Sequence, residues 1–259
     1  MKQWFTLLNK EFLEMARNYK WIWMPLAFIL LGVLDPVTTY YLPEIISSSG
    51  GLPEGAVFEM PVPSPEEVFI MSLGEYQMLG VLFIVLSFMG TVSSERKSGV
   101  AQLILVKPVS YVAYITSKWT AALILIILSF FLGMLASWYY TGVLFEFLPF
   151  SSLMEVVGLY SLWLVLVLSF LILCSAAFIH PGAAAVTVLV TVFVTTMIGG
   201  SFQHLIEWSP TQLFSYASER LIADSWSEHV WPAAGLTITM IILFLSLAIY
   251  IFKKKELAN

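Results

Sequence analysis

The sequence predicts an all-α, polytopic membrane protein with six transmembrane helices. Hydrophobic residues make up 59% of its 259 residues and charged residues 11%, whereas soluble domains average about 45–50% and 25%. So few charged side chains cannot cover the surface of a soluble fold of this length. A membrane β-barrel is excluded as well, because it would show segments of about 10 residues with alternating polarity, which this sequence lacks.

Each predicted transmembrane helix is a mostly apolar stretch of about 20 residues, which is the length that crosses a bilayer. The first two stretches carry one carboxylate each, Asp35 and Glu75, and the other four carry no charged side chain. The first stretch does not read as a cleaved signal peptide, because its basic flank is long and Asp35-Pro36 does not fit a cleavage site. We therefore expect one transmembrane domain over residues 1–259, with helices at 21–42, 72–92, 119–140, 156–178, 182–202 and 230–252.

The distribution of basic residues predicts which side of the membrane each loop occupies. Cytoplasmic loops are enriched in Lys and Arg. With a cytoplasmic N-terminus, Arg220 is the only one of the 12 Lys and Arg residues that falls outside, together with most of the 17 Asp and Glu residues. We therefore predict that both termini are cytoplasmic. The net charge of −5 also argues against nucleic acid as a partner.

The segments that flank the membrane helices carry further patterns. Residues 1–20 predict an interfacial amphipathic helix, because their apolar side chains fall on one arc and their lysines elsewhere. This helix is either a membrane anchor alone or also a contact for a cytoplasmic partner. On the outer side, residues 43–71 are acidic and rich in proline, and residues 203–229 predict a short helix that lies on the membrane face or dips into it.

The chain lacks the sequence signatures of an enzyme. It has no Walker-type phosphate-binding motif. Residues 199–201 resemble the G-x-S of an intramembrane serine protease, but the sixth helix contains no histidine to activate that serine. His204, Glu207 and His229 could meet on the outer side, yet the three histidines of the chain are too scattered to predict a metal site. We therefore predict no catalytic residue, no metal site and no cofactor bound by this chain.

Ion-driven transport is disfavoured too, since it would place several ionisable groups near the middle of the membrane. Asp35 and Glu75 lie instead toward the outer ends of their helices, where carboxylates reach headgroups or water. Any transport by this chain is therefore expected to draw its energy from another protein.

The inner loop at residues 93–118 carries the most specific pattern of the sequence. A glutamate is followed by a glycine, a short apolar run, Pro-Val-Ser and a lysine that opens the next helix. The loop resembles the first cytoplasmic loop of type-2 ATP-binding-cassette (ABC) exporter permeases, although Val100 replaces the usual threonine and Lys107 stands where a small polar residue is common. The matching residues are Glu95, Gly99, Leu103, Pro108, Val109, Ser110 and Lys118.

This resemblance implies a permease subunit that moves a hydrophobic or amphipathic solute (a drug, a peptide or a lipid-like molecule) outward across a bacterial cell membrane. It implies that the 93–118 loop couples the permease to a separate ATPase subunit, which binds the ATP and magnesium. A second permease copy, in a homodimer or a heterodimer, would complete the transporter. The alternative is a sensory or immunity subunit that binds a peptide or a regulatory partner without transport.

In relatives of this kind, the second and fifth membrane helices line the translocation path. Small or hydroxyl-bearing side chains recur along one side of each of these helices here. Two interpretations are open. Either these side chains line the path or the dimer seam, or each hydroxyl donates to the carbonyl one turn back in its own helix while the small residues allow close helix packing. The residues are Gly80, Ser87 and Thr91 in the second helix and Thr187, Thr191 and Thr195 in the fifth.

Overall fold

The computed structural model describes residues 2–48, 62–105, 109–202, 206–223 and 225–256, and all regular structure within these ranges is helical. The all-α prediction is thereby confirmed. Eleven α-helices, one π-helical turn and one 3-10 turn are present in the described ranges. The α-helices are α1 (Lys2–Arg17), α2 (Lys20–Ser48), α3 (Pro65–Glu75), α4 (Val81–Phe88), α5 (Ser93–Lys97), α6 (Val100–Leu105), α7 (Tyr111–Leu144), α8 (Phe150–Ala177), α9 (Pro181–Ser201), α10 (Leu213–Ala223) and α11 (Val230–Glu256).

Six helical segments are long and apolar enough to cross a membrane, as predicted. They are Lys20–Ile46, Pro65–Lys97, Tyr111–Leu144, Phe150–Ala177, Pro181–Ser201 and Val230–Lys255. The end of the bundle that carries α1, α5 and α6 is called the inner end below, and the opposite end the outer end. The assignment of these ends to the two sides of a membrane stays a prediction.

The second span departs most from a uniform helix. It starts at Pro65, earlier than predicted, because Ser64 caps α3: its hydroxyl accepts from the Glu67 amide, and the Glu67 carboxylate accepts from the Ser64 amide. After α3 the chain forms a π-helical turn at Tyr76–Gly80, and after α4 it breaks before α5. The span is therefore a series of short helices.

The bundle is tightest where α2 crosses α7. A Cβ atom on Gly133 would overlap the Tyr76 hydroxyl and lie 2.6 Å from the Phe28 carbonyl oxygen. Tyr76 is buried, its hydroxyl donates to that carbonyl at 2.6 Å, and its ring packs on Phe28 and Phe130 with centroids 5.4 and 5.1 Å away. Glycine lets the two backbones approach this closely, so the crossing fixes the π-helical turn against α2 and α7.

The outer segment after α9 forms the predicted short helix, α10, preceded by a 3-10 turn at Pro210–Gln212. The Gln212 side-chain amide donates to the Gly199 carbonyl at 2.8 Å, and the Thr211 side chain fills the space beside Gly199. Leu213, Tyr216 and Ala217 are buried. The segment is thus attached to the outer end of α9.

We expect the Gly133→Ala variant to be destabilised, because the added methyl group meets the Tyr76 hydroxyl and the Phe28 carbonyl. Overpacking of this kind costs about 1–3 kcal/mol. The matched control is Gly158→Ala in α8, where a Cβ would meet no atom within 4 Å and helix propensity favours alanine. Thermal unfolding in detergent measures both. Equal unfolding temperatures for the two variants would contradict the tight crossing.

Candidate functional site

A cluster of charged side chains at the inner end joins three parts of the chain. It consists of Lys10 and Glu11 on α1, Glu95 on α5, and Tyr114 and Lys118 on α7, and is called the inner cluster below. The Lys118 ammonium lies 2.8 Å from a Glu11 oxygen and 2.9 Å from a Glu95 oxygen. Lys10 contacts both carboxylates too, and Tyr114 donates a hydrogen bond to Glu95.

Three of the four charged side chains in the cluster are buried, and its two lysines balance its two glutamates. The Lys118 side chain is 2% exposed, and those of Glu11 and Glu95 are 10% and 12% exposed. Burial lowers the pKa of Lys10, but its hydrogen bond to Glu95 and the charges of Glu11 and Glu95 outweigh this and raise that pKa above its ordinary value. Buried charges persist only when they are paired and hydrogen-bonded, so each member holds the others in place.

The sequence pointed to Glu95 and Lys118 through the loop pattern, and the structure brings them into contact. It also adds Lys10, Glu11 and Tyr114, which the sequence did not single out. Lys10 fell on the polar face of the predicted N-terminal helix, where a lysine reads as exposed. The glutamates at 11, 14 and 95 bring carboxylate oxygens within 4.8 Å of one another, as in a metal site, but lysine ammonium groups contact all three.

A second inner-end junction bridges the break between α4 and α5. The Ser175 hydroxyl of α8 accepts from the Val92 and Ser93 amides, each at 3.1 Å, and donates to the Met89 carbonyl at 2.9 Å. Ser93 and Ser175 are fully buried. One side chain of the fourth span therefore satisfies two amides that the interrupted second span leaves open and shares the Met89 carbonyl with the Ser93 hydroxyl.

The last carbonyls of α8 are held by basic side chains from two other elements. Arg96 of α5 donates to the Ala176 carbonyl at 2.9 Å, and Lys255 of α11 donates to the Ala177 carbonyl. Cations are favourable at a helix C-terminus, where carbonyls are unpaired and the helix dipole is negative. The start of the inner loop is thus bound to α8 as well as to α1 and α7.

The remaining loop residues include α6, which is exposed on one side and has Ala101 fully buried on the other. Gly99 has φ +77, a left-handed conformation that favours glycine, and it separates α5 from α6. Leu103 on α6 is 73% exposed. Val109 is half-buried, and Ser110 caps α7 by accepting from the Ala113 amide at 3.1 Å. Pro108 lies outside the described residues.

An open cleft of about 690 Å³ lies between the second span, α9 and α10. Its walls are mainly apolar and include Met78 and Leu82 on one side and Phe193 and Met197 on the other. Gln77 is among the polar residues that line it, and no Asp, Glu, Lys or Arg does so within the described part of the chain. Part of its wall is the π-helical turn, a feature that often marks functional sites.

The six residues predicted for the path or the dimer seam do not line this cleft. In the second span, Gly80 packs on the Tyr76 ring, and the hydroxyls of Ser87 and Thr91 donate to carbonyls of their own helical segment. In the fifth span, the hydroxyls of Thr187 and Thr195 do the same, and Thr191 and Thr195 line a smaller cavity of about 160 Å³ on the side of α8 and α11. Their role in transport stays a prediction.

At the outer end the structure pairs His229 with Glu207, whose closest side-chain atoms lie 3.0 Å apart. His204, the third residue considered for a metal site, lies outside the described residues. Arg220 of α10 contacts Glu155 of α8, with nitrogen and oxygen 2.7 Å apart. The Arg220 contact attaches the outer segment to α8, whereas the His229 contact lies within that segment.

Comparison with known proteins gives two similarities. Residues 60–250 match the family described as ABC-2 family transporter protein. The chain is also similar to the uncharacterized transmembrane protein YxlG of Bacillus subtilis (strain 168), with 32% identity over 256 residues, which covers 99% of each chain.

We expect Lys118→Met to destabilise the protein strongly, because it leaves the Glu11 and Glu95 carboxylates buried with too little positive charge. Removing one partner of a buried ion pair costs about 3–5 kcal/mol. Lys10→Met should cost less, since the Lys10 side chain is 37% exposed and Lys118 continues to pair with both glutamates. Thermal unfolding in detergent compares the two variants. A smaller loss for Lys118→Met than for Lys10→Met would refute this account of the cluster.

We expect Ser175→Ala to loosen the junction between α4 and α5, because two buried amides lose their acceptor. An unsatisfied buried group costs about 1–3 kcal/mol. Hydrogen exchange in the segment 88–97 should become faster. The control is Ser129→Ala, an equally buried serine whose hydroxyl donates to the Leu125 carbonyl one turn back. Unchanged exchange in Ser175→Ala would exclude a bridging role for this side chain.

Proposed function

The chain belongs to the ABC-2 transporter family as its membrane component, and on that premise we propose that it is the permease subunit of an exporter driven by a separate ATPase. The ATPase would bind ATP and magnesium, and this chain would form the path for the solute. The observation that carries the proposal is the inner cluster, because it connects an exposed loop to the membrane helices through buried charges. A loop that only marks topology has no need of such connections.

The exposed side of α6 is the proposed docking element for the ATPase. Leu103 presents a large apolar side chain at the inner end, and Gly99 gives α6 its own direction relative to α5. An isolated exposed leucine is common on proteins, but this one follows the loop pattern and lies on a segment that packs against the membrane helices. It fits a groove on a partner subunit.

Force applied to α6 would pass through α5 to several helices at once. Glu95 connects α5 to α1 and α7, whereas Arg96 and the amide of Ser93 connect it to α8. The break at Met89–Val92 separates α5 from α4, so the base of the loop can turn while the outer part of the second span stays packed. We propose that this break is the hinge at which closure of the ATPase is converted into movement of the helices that line the path.

We propose that the cleft beside the π-helical turn forms one half of the solute path. Its volume falls within the range of ligand sites, about 300–1,000 Å³, and its uncharged walls suit a hydrophobic or amphipathic solute. The cleft is open rather than enclosed, and a second permease copy, identical or different, would complete the enclosure. The proposed location is the cell membrane of a bacterium, as the Bacillus relative suggests.

Copurification from native membranes in mild detergent, followed by an ATPase assay, tests the proposal. We expect an ATPase to copurify with the wild-type chain. In Leu103→Glu the amount of copurified ATPase should fall about tenfold or more, because a buried interface anchor contributes at least about 2 kcal/mol. Gly99→Val should act in the same direction through the strained backbone. The control is Ile179→Glu, an exposed apolar residue at the inner end outside the loop.

A wild-type chain that leaves well-preserved membranes without an ATPase would contradict the exporter function. The non-transporting sensory or immunity subunit would then be the better reading. Equal loss of the ATPase in the Leu103 and Ile179 variants would keep an ATPase partner but exclude α6 as its specific contact.

A further inference from the structure

A second large concavity lies at the outer end, away from the uncharged cleft. It is an open groove of about 760 Å³ between the outer ends of α2, α3 and α7, called the outer groove below. The rings of Tyr40 and Phe145 stand at its wall almost at right angles, with centroids 5.9 Å apart and an interplanar angle of 88°. Pro43 and Pro65 add further apolar surface, and Glu146 places a carboxylate in the lining.

The charged residue that lines the outer groove is acidic, and the sequence of α2 and α3 supplies no basic residue after Lys20. No Lys, Arg or His occurs between Lys20 and Arg96, the stretch that supplies α2 and α3. Among the described residues that line the groove, Glu146 is the charged one. The electrostatic potential of the groove therefore favours a positive occupant.

Polar atoms without partners lie below the groove on the same helices. An Asp35 carboxylate oxygen and the hydroxyls of Ser137 and Thr141 are buried and have no hydrogen-bond partner among the described residues. Asp35 stands about one turn before Thr39, which lines the groove, and Thr141 about one turn before Phe145. Buried polar groups are normally satisfied, but none of these three residues lines the outer groove, so the occupant of the groove is inferred from its lining alone.

We propose that the outer groove binds an organic cation, of the quaternary ammonium or phosphonium type. Aromatic ring faces attract such cations through their quadrupole, Glu146 supplies the opposite charge, and the apolar walls accept the substituents around the cationic centre. The site is distinct from the proposed solute path, whose lining is uncharged, and it does not require an ATPase. It can therefore be tested on the purified chain alone.

The test is equilibrium dialysis of radiolabelled tetraphenylphosphonium against the full chain in detergent, corrected with protein-free micelles. Tetraphenylborate, an anion of nearly the same shape, is the matched control ligand. We expect saturable binding of the phosphonium and none of the borate. Tyr40→Phe should retain the affinity, whereas Tyr40→Leu should weaken it roughly two- to fivefold, the contribution of one exposed cation–π contact.

Charge is tested with Glu146→Gln, which should weaken phosphonium binding more than Glu228→Gln, an exposed outer glutamate that does not line the groove. Higher salt should weaken binding to the wild type. Equal binding of the phosphonium and the borate would overturn the proposal, because apolar partitioning alone would explain it. So would affinities that are the same in the Tyr40→Leu, Glu146→Gln and wild-type chains.

Discussion

The buried ammonium group of Lys118 constrains the whole inner end of the molecule. A charge removed from water is tolerated only where opposite charges surround it closely. Here these charges come from α1, through Glu11, and from α5, through Glu95. Two segments far apart in sequence must therefore meet on α7 before this lysine can be buried, and the N-terminal helix and the loop are placed together as a result.

This constraint makes the inner end one assembly of several helices. Through Arg96 and the Ser175 hydroxyl, α5 is held on α8 as well, and Lys255 brings in the end of α11. The crossing of α2 and α7 has another organisation, because it is fixed by close packing at Gly133 and Tyr76 rather than by charge. The break after Phe88 lies between these two regions.

The number of membrane helices could be predicted from the sequence, because an apolar stretch of about 20 residues is the length that crosses a bilayer as a helix. The sequence was less informative wherever the outcome depends on contacts between distant segments. The role of Ser175 could not be read in advance, since a serine within an apolar helix usually bonds its own backbone. Lys10 was assigned to the polar face for a similar reason. Helical periodicity predicts which residues share a face, but it does not predict which side chains of another helix contact that face. The early start of α3 was readable in principle, because Ser64 and Glu67 form a capping box.

The attachment of Gln212 and Thr211 to Gly199 has a mechanical consequence. The 3-10 turn and α10 cover the cleft from above, and α9 forms one of its sides. Because the two are joined at Gly199, their separation would break this hydrogen bond and leave the buried Gln212 amide without its acceptor. The other side of the cleft is formed by α4 and the π-helical turn, which Tyr76 holds against α2 and α7. Its shape is therefore governed by the same interrupted span that reaches down to the inner loop.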